Sequence, residues 1–278
     1  MFKWISQKRQ KPVGLHILGG LGNNMFQYAA GYTYAKLHNR KLYIYNQNTK
    51  FPETFRTKDP YILKPKPCHP YIENANYYFR DTMHLNDFDY LIGNFQDAGI
   101  FNKYKNELLK IFTIRPATNR KENRAYASKI KKTNSVSIHI RRTDYLTTFP
   151  KSILSVQYYN NAINYIKTQV HNPHFFIFSD DINWVISNLP MGDTPHTFVT
   201  CNQTPESAVC DMYLMSLCKH NIIANSSFSW WGTWLNRNPN KIVVSPDKWI
   251  IDSEQHCNVT KRLIQDSWVK ISSCFEEN

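Results

Sequence analysis

Residues 137–145 read SIHIRRTDY, and the reading of this stretch decides how the chain is folded. Apolar side chains alternate through Ser135-Val136-Ser137-Ile138-His139-Ile140. Val136, Ile138 and Ile140 therefore share one face of a β-strand, and His139 falls on the other with two serines. Arg141 and Arg142 follow where that strand ends, and Asp144 comes three residues after the first arginine. Open α/β sheets bind ligands beyond the carboxyl ends of their parallel strands. An arginine placed there suits phosphate, because its planar fork donates two parallel hydrogen bonds. Asp144 could orient an arginine or accept a proton. On these residues alone, a surface ion pair is the default account.

Strand-like runs alternate with helical patterns on both sides of this stretch. Before it come a strand at 13–18, a glycine turn, a helix from about Asn23 to His38, a strand at 41–45 and a helix at 100–112. Met25, Ala29 and Tyr32 fall on one stripe of the first helix. A charged helical run at 116–132 leads to strands expected at 135–140, 174–178, 220–224 and 241–244. Helices are expected at about 155–169, 181–188, 205–219 and 228–236. Thr204 as cap, Pro205 in the first turn and Glu206 at the positive end predict the start at 205. The stretch from Asn46 to Tyr90 is rich in Pro, Asn and Tyr without a clear period and reads as loop. Strands alternating with helices imply parallel sheets. Two such series imply an α/β chain of two lobes, residues 1–118 and 119–278, with a cleft between them.

With 278 residues, 42% of them hydrophobic, the chain can bury the cores of two ordinary lobes. Thirty-four Lys and Arg against 21 Asp and Glu leave a net charge of +13, which suits a nucleotide, a nucleic acid or an anionic membrane surface. The basic residues are scattered and no binding module or basic helix stands out, so nucleic acid is not expected as a partner. No apolar run is long enough for a signal peptide or a membrane span. The six cysteines show no CxxC and no disulfide-type spacing. The expectation is a cytoplasmic chain with free, partly buried thiols, able to lie at the inner face of a membrane by charge.

Four further segments bear on chemistry. LGGLGNNMFQYA (18–29) is a glycine turn between strand and helix, but Met25 stands where a dinucleotide fingerprint needs glycine, and the second strand ends in Asn46-Gln47 rather than an acidic residue. What remains is a turn permitting close backbone approach at Gly22, with Asn23 at a helix start, either as a cap or with its amide aimed into the cleft. In NIIANSSFSWWGTWLN (221–236), Ser226, Ser227 and Ser229 start a helix whose free N–H groups can hold an anion. Phe228 could cover a flat base, and Trp230, Trp231 and Trp234 point to packing. Asp211 sits in the otherwise apolar DMYLMSLC, which suits either the N1–H and N2–H edge of guanine or the wet side of a helix. FFIFSDD (175–181) is a buried strand followed by Ser179, Asp180 and Asp181; a serine there suits a helix cap and acidic residues suit the first helical turn, with Asp180 and Asp181 kept as lesser site candidates. Asp87-Phe88-Asp89 has the DxD form that would hold Mn²⁺ or Mg²⁺ in a GT-A-type glycosyltransferase, but its apolar run follows it, so it reads as loop. No zinc spacing, P-loop or GxSxG elbow is present, and no metal is expected.

Taken together, GGLGNNMFQYA, LIGNFQDAGIF (91–101), HIRRTDY and DMYLMSLCKHNIIANSSFSWWGTWLN (211–236) resemble the bacterial α-1,2-fucosyltransferases of glycosyltransferase family 11, in the right order over nearly the whole chain. The resemblance implies a GT-B-like fold of two Rossmann-like lobes, the N-terminal one on the acceptor side and the C-terminal one binding the GDP-sugar. It implies inverting, metal-independent transfer of L-fucose from GDP-β-L-fucose to the 2-OH of a galactose-ended glycan, free or lipid-linked, as in O-antigen or lipopolysaccharide biosynthesis. Carried over by position, Arg141 holds the leaving β-phosphate, with Asp144 as base or arginine partner. His139 lines the nucleotide pocket, Asp211 reads guanine, Ser226, Ser227, Phe228 and Ser229 contact phosphate and nucleoside, and Gly22 and Asn23 face the donor from the other lobe. The family usually has Asn-Gln at Asn23-Asn24, and Tyr or Trp at Asn94. The alternatives from other classes are the GT-A-type enzyme using Asp87 and Asp89, and a non-catalytic carbohydrate- or nucleic-acid-binding protein.

Overall fold

The structure is a computed structural model that describes residues 11–46, 54–55, 57, 59–60, 67–74, 78–114, 121–251 and 254–276, with the side chains of Asn46 and 254–257 excepted. The chain divides into two units, Met1–Phe112 and Thr113–Asn278.

In the N-terminal unit β1 (Val13–Ile17), α1 (Leu21–Leu37), β2 (Leu42–Asn46), β3 (Pro70–Ile72) and β4 (Tyr90–Ile92) build a parallel sheet in the order β2-β1-β4-β3. A helix, α2 (Lys105–Ile111), follows two 3₁₀ turns, so the helix expected from residue 100 forms only in its second half. The α1 helix buries residues around most of its circumference, so it is covered on more than the side that faces the sheet. Gly31 lets it approach β1, because a Cβ there would lie 2.8 Å from Leu15 Cδ2. β3 lies in the stretch read as loop and β4 begins at its last residue; residues 47–53, 56, 58, 61–66 and 75–77 of that stretch lie outside the described residues.

The C-terminal unit contains α3 (Lys121–Lys132), β5 (Asn134–Ile140), α4 (Val156–Gln169), β6 (Pro173–Ser179), α5 (Ile182–Asn188), β7 (His196–Phe198), α6 (Ala208–Leu217), β8 (His220–Ile222), α7 (Ser227–Trp234), β9 (Val243–Pro246), α8 (Glu254–Leu263) and β10 (Val269–Ile271). Of the charged run at 116–132, residues 116–120 lie outside the described residues. The six strands are parallel in the order β10-β9-β8-β5-β6-β7, the doubly wound arrangement. On one face Val136, Ile138 and Ile140 pack with Tyr158, Ala162 and Ile166 of α4. On the other, Phe176 and Phe178 meet Ile130 of α3 and Leu214 and Met215 of α6. Both faces are thus covered, and the serines opposite the apolar face are buried as well. Asn221 Nδ2 donates to Ser137 Oγ at 2.7 Å, and the Lys219 N–H donates to Ser135 Oγ at 3.1 Å. The α6 helix begins at Ala208, later than its sequence signals suggest, because Thr204 and Ser207 close a separate turn in front of it. The tryptophans are core: Trp230 packs against Trp231 at 5.0 Å and donates its indole N–H to Leu263 O at 2.7 Å.

Candidate functional site

In the C-terminal sheet the chain steps outward from β5 to β6 and β7 on one side and to β8, β9 and β10 on the other. Loops leaving the carboxyl ends of β5 and β8 diverge at that reversal, leaving a crevice where such sheets bind ligands. The first loop carries Arg141 to Asp144 and the second carries Asn225 and Ser226.

Arg141 is gripped from two sides. Its Nη2 lies 2.7 Å from Asp144 Oδ2 and its Nη1 3.0 Å from Asp180 Oδ2. Burial works against its charge, but the two carboxylates outweigh burial and raise its pKa above the usual arginine value. Asp180 also takes the Arg142 N–H on Oδ1 at 2.9 Å and both the N–H and hydroxyl of Thr143 on Oδ2 at 3.2 and 2.5 Å. One carboxylate thereby fixes the turn and the guanidinium it presents. Its neighbour Asp181 is the helix cap, accepting from the Trp184 N–H at 3.2 Å. The cap is therefore Asp181 rather than the Ser179 that residue type suggests, and Asp180 braces Arg141 instead of sitting in the first helical turn. Arg142 is buried, lies 3.4 Å from the Trp184 ring centre and pairs with Glu276 at 2.6 Å, so it is part of the core.

His139 and Phe228 come together with ring centres 5.2 Å apart. Burial first, then the Arg141 charge, lowers the His139 pKa to about 4 against the pull of Asp180, so its imidazole is neutral at pH 7. Its Nδ1 is buried without a hydrogen-bond partner. Ser226 occupies the cap position of α7 but makes no side-chain cap bond, Ser227 opens the helix, and Ser229 is fully buried with its Oγ accepting from the Ala224 N–H at 3.0 Å. Asn225 is structural. Its Nδ2 donates to Ser152 O and Trp249 O, both at 2.8 Å, and its own carbonyl accepts from Tyr145 OH at 2.7 Å. Asn225→Ala strands two buried carbonyls and is expected to lower unfolding stability by about 2–4 kcal/mol in a urea titration.

Asp211 is on no wet face: it is 6% exposed, and burial raises its pKa to about 7 although Asn202 works in the other direction. Asn202 Nδ2 donates to Asp211 Oδ1 at 2.7 Å, and Asn123 Nδ2 donates to Asn202 Oδ1 at 3.1 Å. Neither asparagine carried a sequence signal. A carboxylate buried this way suits a ligand that brings N–H donors.

In the N-terminal unit the loops leaving β1 and β4 flank the corresponding reversal. The α1 helix starts at Leu21 with Gly20 as cap, so Gly22 and Asn23 lie inside its first turn, and Asn23 is not the cap. Asn23 Oδ1 accepts from Gln96 Nε2 at 2.9 Å, joining the glycine turn to the GNFQ segment. Asn24 Nδ2 donates to Leu18 O at 2.9 Å and to Gly19 O at 3.2 Å, holding the turn in which Gly19 has φ +84°. Both oxygens of Asp89 accept backbone N–H groups, of Cys68 at 2.9 Å and His69 at 3.0 Å, so this half of the DxD form ties a loop. Among the described residues no group of three His, Cys, Asp or Glu could hold a metal ion, and no helix is long and apolar enough to cross a membrane. Cys218 is a buried free thiol, whereas Cys68 is exposed rather than partly buried.

Glycosyl transferase family 11 matches residues 5–272. The O-antigen biosynthesis glycosyltransferase WbnK of Escherichia coli is 36% identical over 65% of this chain, a match spanning 60% of its own length. An α-1,2-colitosyltransferase of the same organism is 30% identical over 84% of this chain and 90% of its own. The galactoside 2-α-L-fucosyltransferase SEC1 of Bos taurus is 27% identical over 78% and 62%. Among solved structures, the fucosyltransferase NodZ from Bradyrhizobium has a TM-score of 0.58 over 80% of this chain and 92% of that one, at 15% identity. NodZ α-1,6-fucosyltransferase soaked with GDP-fucose has a TM-score of 0.56, at 16% identity over 81% and 92%. The fold is the GT-B-like one that the sequence implied. With a match running nearly from end to end, this chain belongs to glycosyl transferase family 11 and is a sugar-transferring enzyme.

Proposed function

We propose that the chain transfers L-fucose from GDP-β-L-fucose to the 2-hydroxyl of a terminal galactose, inverting the anomeric centre and using no metal ion. The observation that carries this reading is Arg141, fixed by Asp144 and Asp180 at the reversal point of the C-terminal sheet. Breaking the fucose C1–O bond builds positive charge on the sugar and negative charge on GDP. Arg141 and the positive end of α7, at Ser226 and Ser227, supply the countercharge. Ser229 shapes the same helix start. Neutral His139 and Phe228 line the nucleoside side, and Asp211 accepts the N1–H and N2–H of guanine. Gly22 and Asn23, in the N-terminal unit, are donor contacts on the strength of their motif. Asp144 serves better as an arginine partner than as general base, because its carboxylate is already engaged by the Arg141 guanidinium at 2.7 Å. A loose, oxocarbenium-like transition state needs little base help.

The acceptor is a galactose-ended glycan, lipid-carried if the chain works in a setting like that of WbnK. The net charge of +13 suits a cytoplasmic enzyme lying against an anionic membrane face. A second reading, transfer of colitose, is favoured by the colitosyltransferase relative. A GDP-release assay with GDP-fucose, GDP-mannose, UDP-galactose and nucleotide-activated colitose, against a panel of β-galactosides, tests both. Release from GDP-fucose that persists in EDTA, with an α-1,2 product by NMR, is expected. No release from GDP-fucose with any acceptor overturns the proposal, preference for activated colitose favours the second reading, and loss of activity in EDTA returns the question to a metal-dependent mechanism.

A further inference from the structure

Directly after Arg141 the chain makes a single helical turn, Tyr145–Thr148, and holds two large apolar side chains out in solvent: Leu146 is 47% and Phe149 41% exposed. Scattered exposed apolar residues are ordinary. These two are carried on a segment that follows the Arg141 turn and is pinned at both ends. At its start, Asp180 fixes Thr143, and Tyr145 OH donates to Asn225 O at 2.7 Å. At its end, Asn225 Nδ2 donates to Ser152 O at 2.8 Å, and Ser152 Oγ accepts the Ile251 N–H at 3.2 Å. The Leu146 N–H to Arg142 O bond at 3.0 Å and the Phe149 N–H to Tyr145 O bond at 3.0 Å close the turn between those anchors. A segment so held cannot fold its tip back onto the core. The Arg141 guanidinium lies 6.0 Å from the centre of the Tyr145 ring, and that ring meets Phe149 edge-on at 5.4 Å. The exposed aromatic surface is therefore one ring removed from the group proposed to hold the leaving diphosphate.

We infer that Phe149, with Leu146 beside it, is the platform for the acceptor sugar, stacking against the apolar C–H face of the ring that receives the transferred sugar. This rests on the reading of Arg141 as the diphosphate ligand. A hexose is polar at its rim and apolar on one face, so a rigid aromatic edged by Leu146 orients it without competing for its hydroxyls. The platform must lie near the group that holds the leaving diphosphate, and Phe149 is one ring removed from Arg141.

The test is steady-state transfer to a β-galactoside with Phe149→Ala and Leu146→Ser, alongside GDP titration of each variant. Phe149→Ala is expected to raise acceptor KM about tenfold and Leu146→Ser a few-fold, with kcat changed less than KM and Phe149→Trp close to wild type. Wild-type acceptor KM in Phe149→Ala overturns the inference, even if binding to anionic vesicles falls. Should Phe149→Ala lose GDP affinity through collapse of the turn, Phe149→Leu decides. A raised acceptor KM with intact GDP binding supports the platform, and an unchanged KM overturns it. A wild-type enzyme that releases no GDP from GDP-fucose would instead sink the functional reading itself.

Discussion

Arg141→Ala is expected to fold as the parent does and to transfer sugar about 10²–10³-fold more slowly, the usual consequence of removing one preorganised donor aimed at developing negative charge. The fold survives because the turn does not hang on the arginine: Asp180 keeps its bonds from the Arg142 and Thr143 N–H groups and the Thr143 hydroxyl. The activity does not survive, because the substitution leaves Asp144 and Asp180 facing the diphosphate without the cation between them. GDP affinity should fall with the rate, most steeply at low salt, where repulsion is least screened. Arg141→Lys should fall between the two, since one ammonium cannot reproduce a fork that meets two carboxylates and a phosphate. Thermal melts, GDP titration and single-turnover transfer check the three statements. A folded Arg141→Ala variant within a few-fold of wild-type rate would remove the central support of the functional reading.

The same arginine shows how far the sequence could be read. Alternation through 135–140 located β5 and the residues at its end, because a strand with one apolar face leaves a period of two. It could not show that the serine face was also buried, since Ser135 and Ser137 are satisfied by Lys219 and Asn221, residues distant in sequence. β3, β4, β7 and β10 are three residues each, too short to carry a period, and three of them, β3, β7 and β10, lie at sheet edges where residue type is least constrained. Asp180 was obscured by its own type: acidic residues after a serine suggest the first turn of a capped helix, and only the fold shows Asp181 capping while Asp180 braces Arg141. Asp211 could be singled out by its apolar neighbours, but not its burial or its asparagine partners, which come from other elements.

Asp211→Asn is expected to stabilise the ligand-free protein above pH 7 and to cripple its nucleotide binding. Burial lifts the Asp211 carboxyl from the ordinary value of 3.8 to about 7, which makes its charged form costly in the folded state. Between pH 4 and 7 the unfolded chain carries this group ionised while the folded chain keeps it protonated, so the folded state binds the extra proton and stability declines as pH rises through that window. Above it the cost reaches about 4 kcal/mol. An amide of the same shape avoids that cost and can still accept from Asn202, whereas its own N–H groups must find acceptors, so a net gain of about 1–2 kcal/mol, or about 2–8 °C in Tm at pH 8, is the expected balance. At pH 5, where the wild-type carboxyl is already neutral, the gain should vanish. Nucleotide binding should respond in the opposite sense. A guanine that offers N1–H and N2–H stabilises the ionised carboxylate, so wild-type GDP affinity should weaken as pH falls below 7 with uptake of one proton by the freed enzyme, while Asp211→Asn should bind GDP about 10–100-fold more weakly and lose that pH dependence. Isothermal titration in buffers of differing ionisation enthalpy measures the proton directly. A Tm difference that persists at pH 5, or GDP affinity untouched by the substitution, would show that the buried carboxylate serves the fold and not the base.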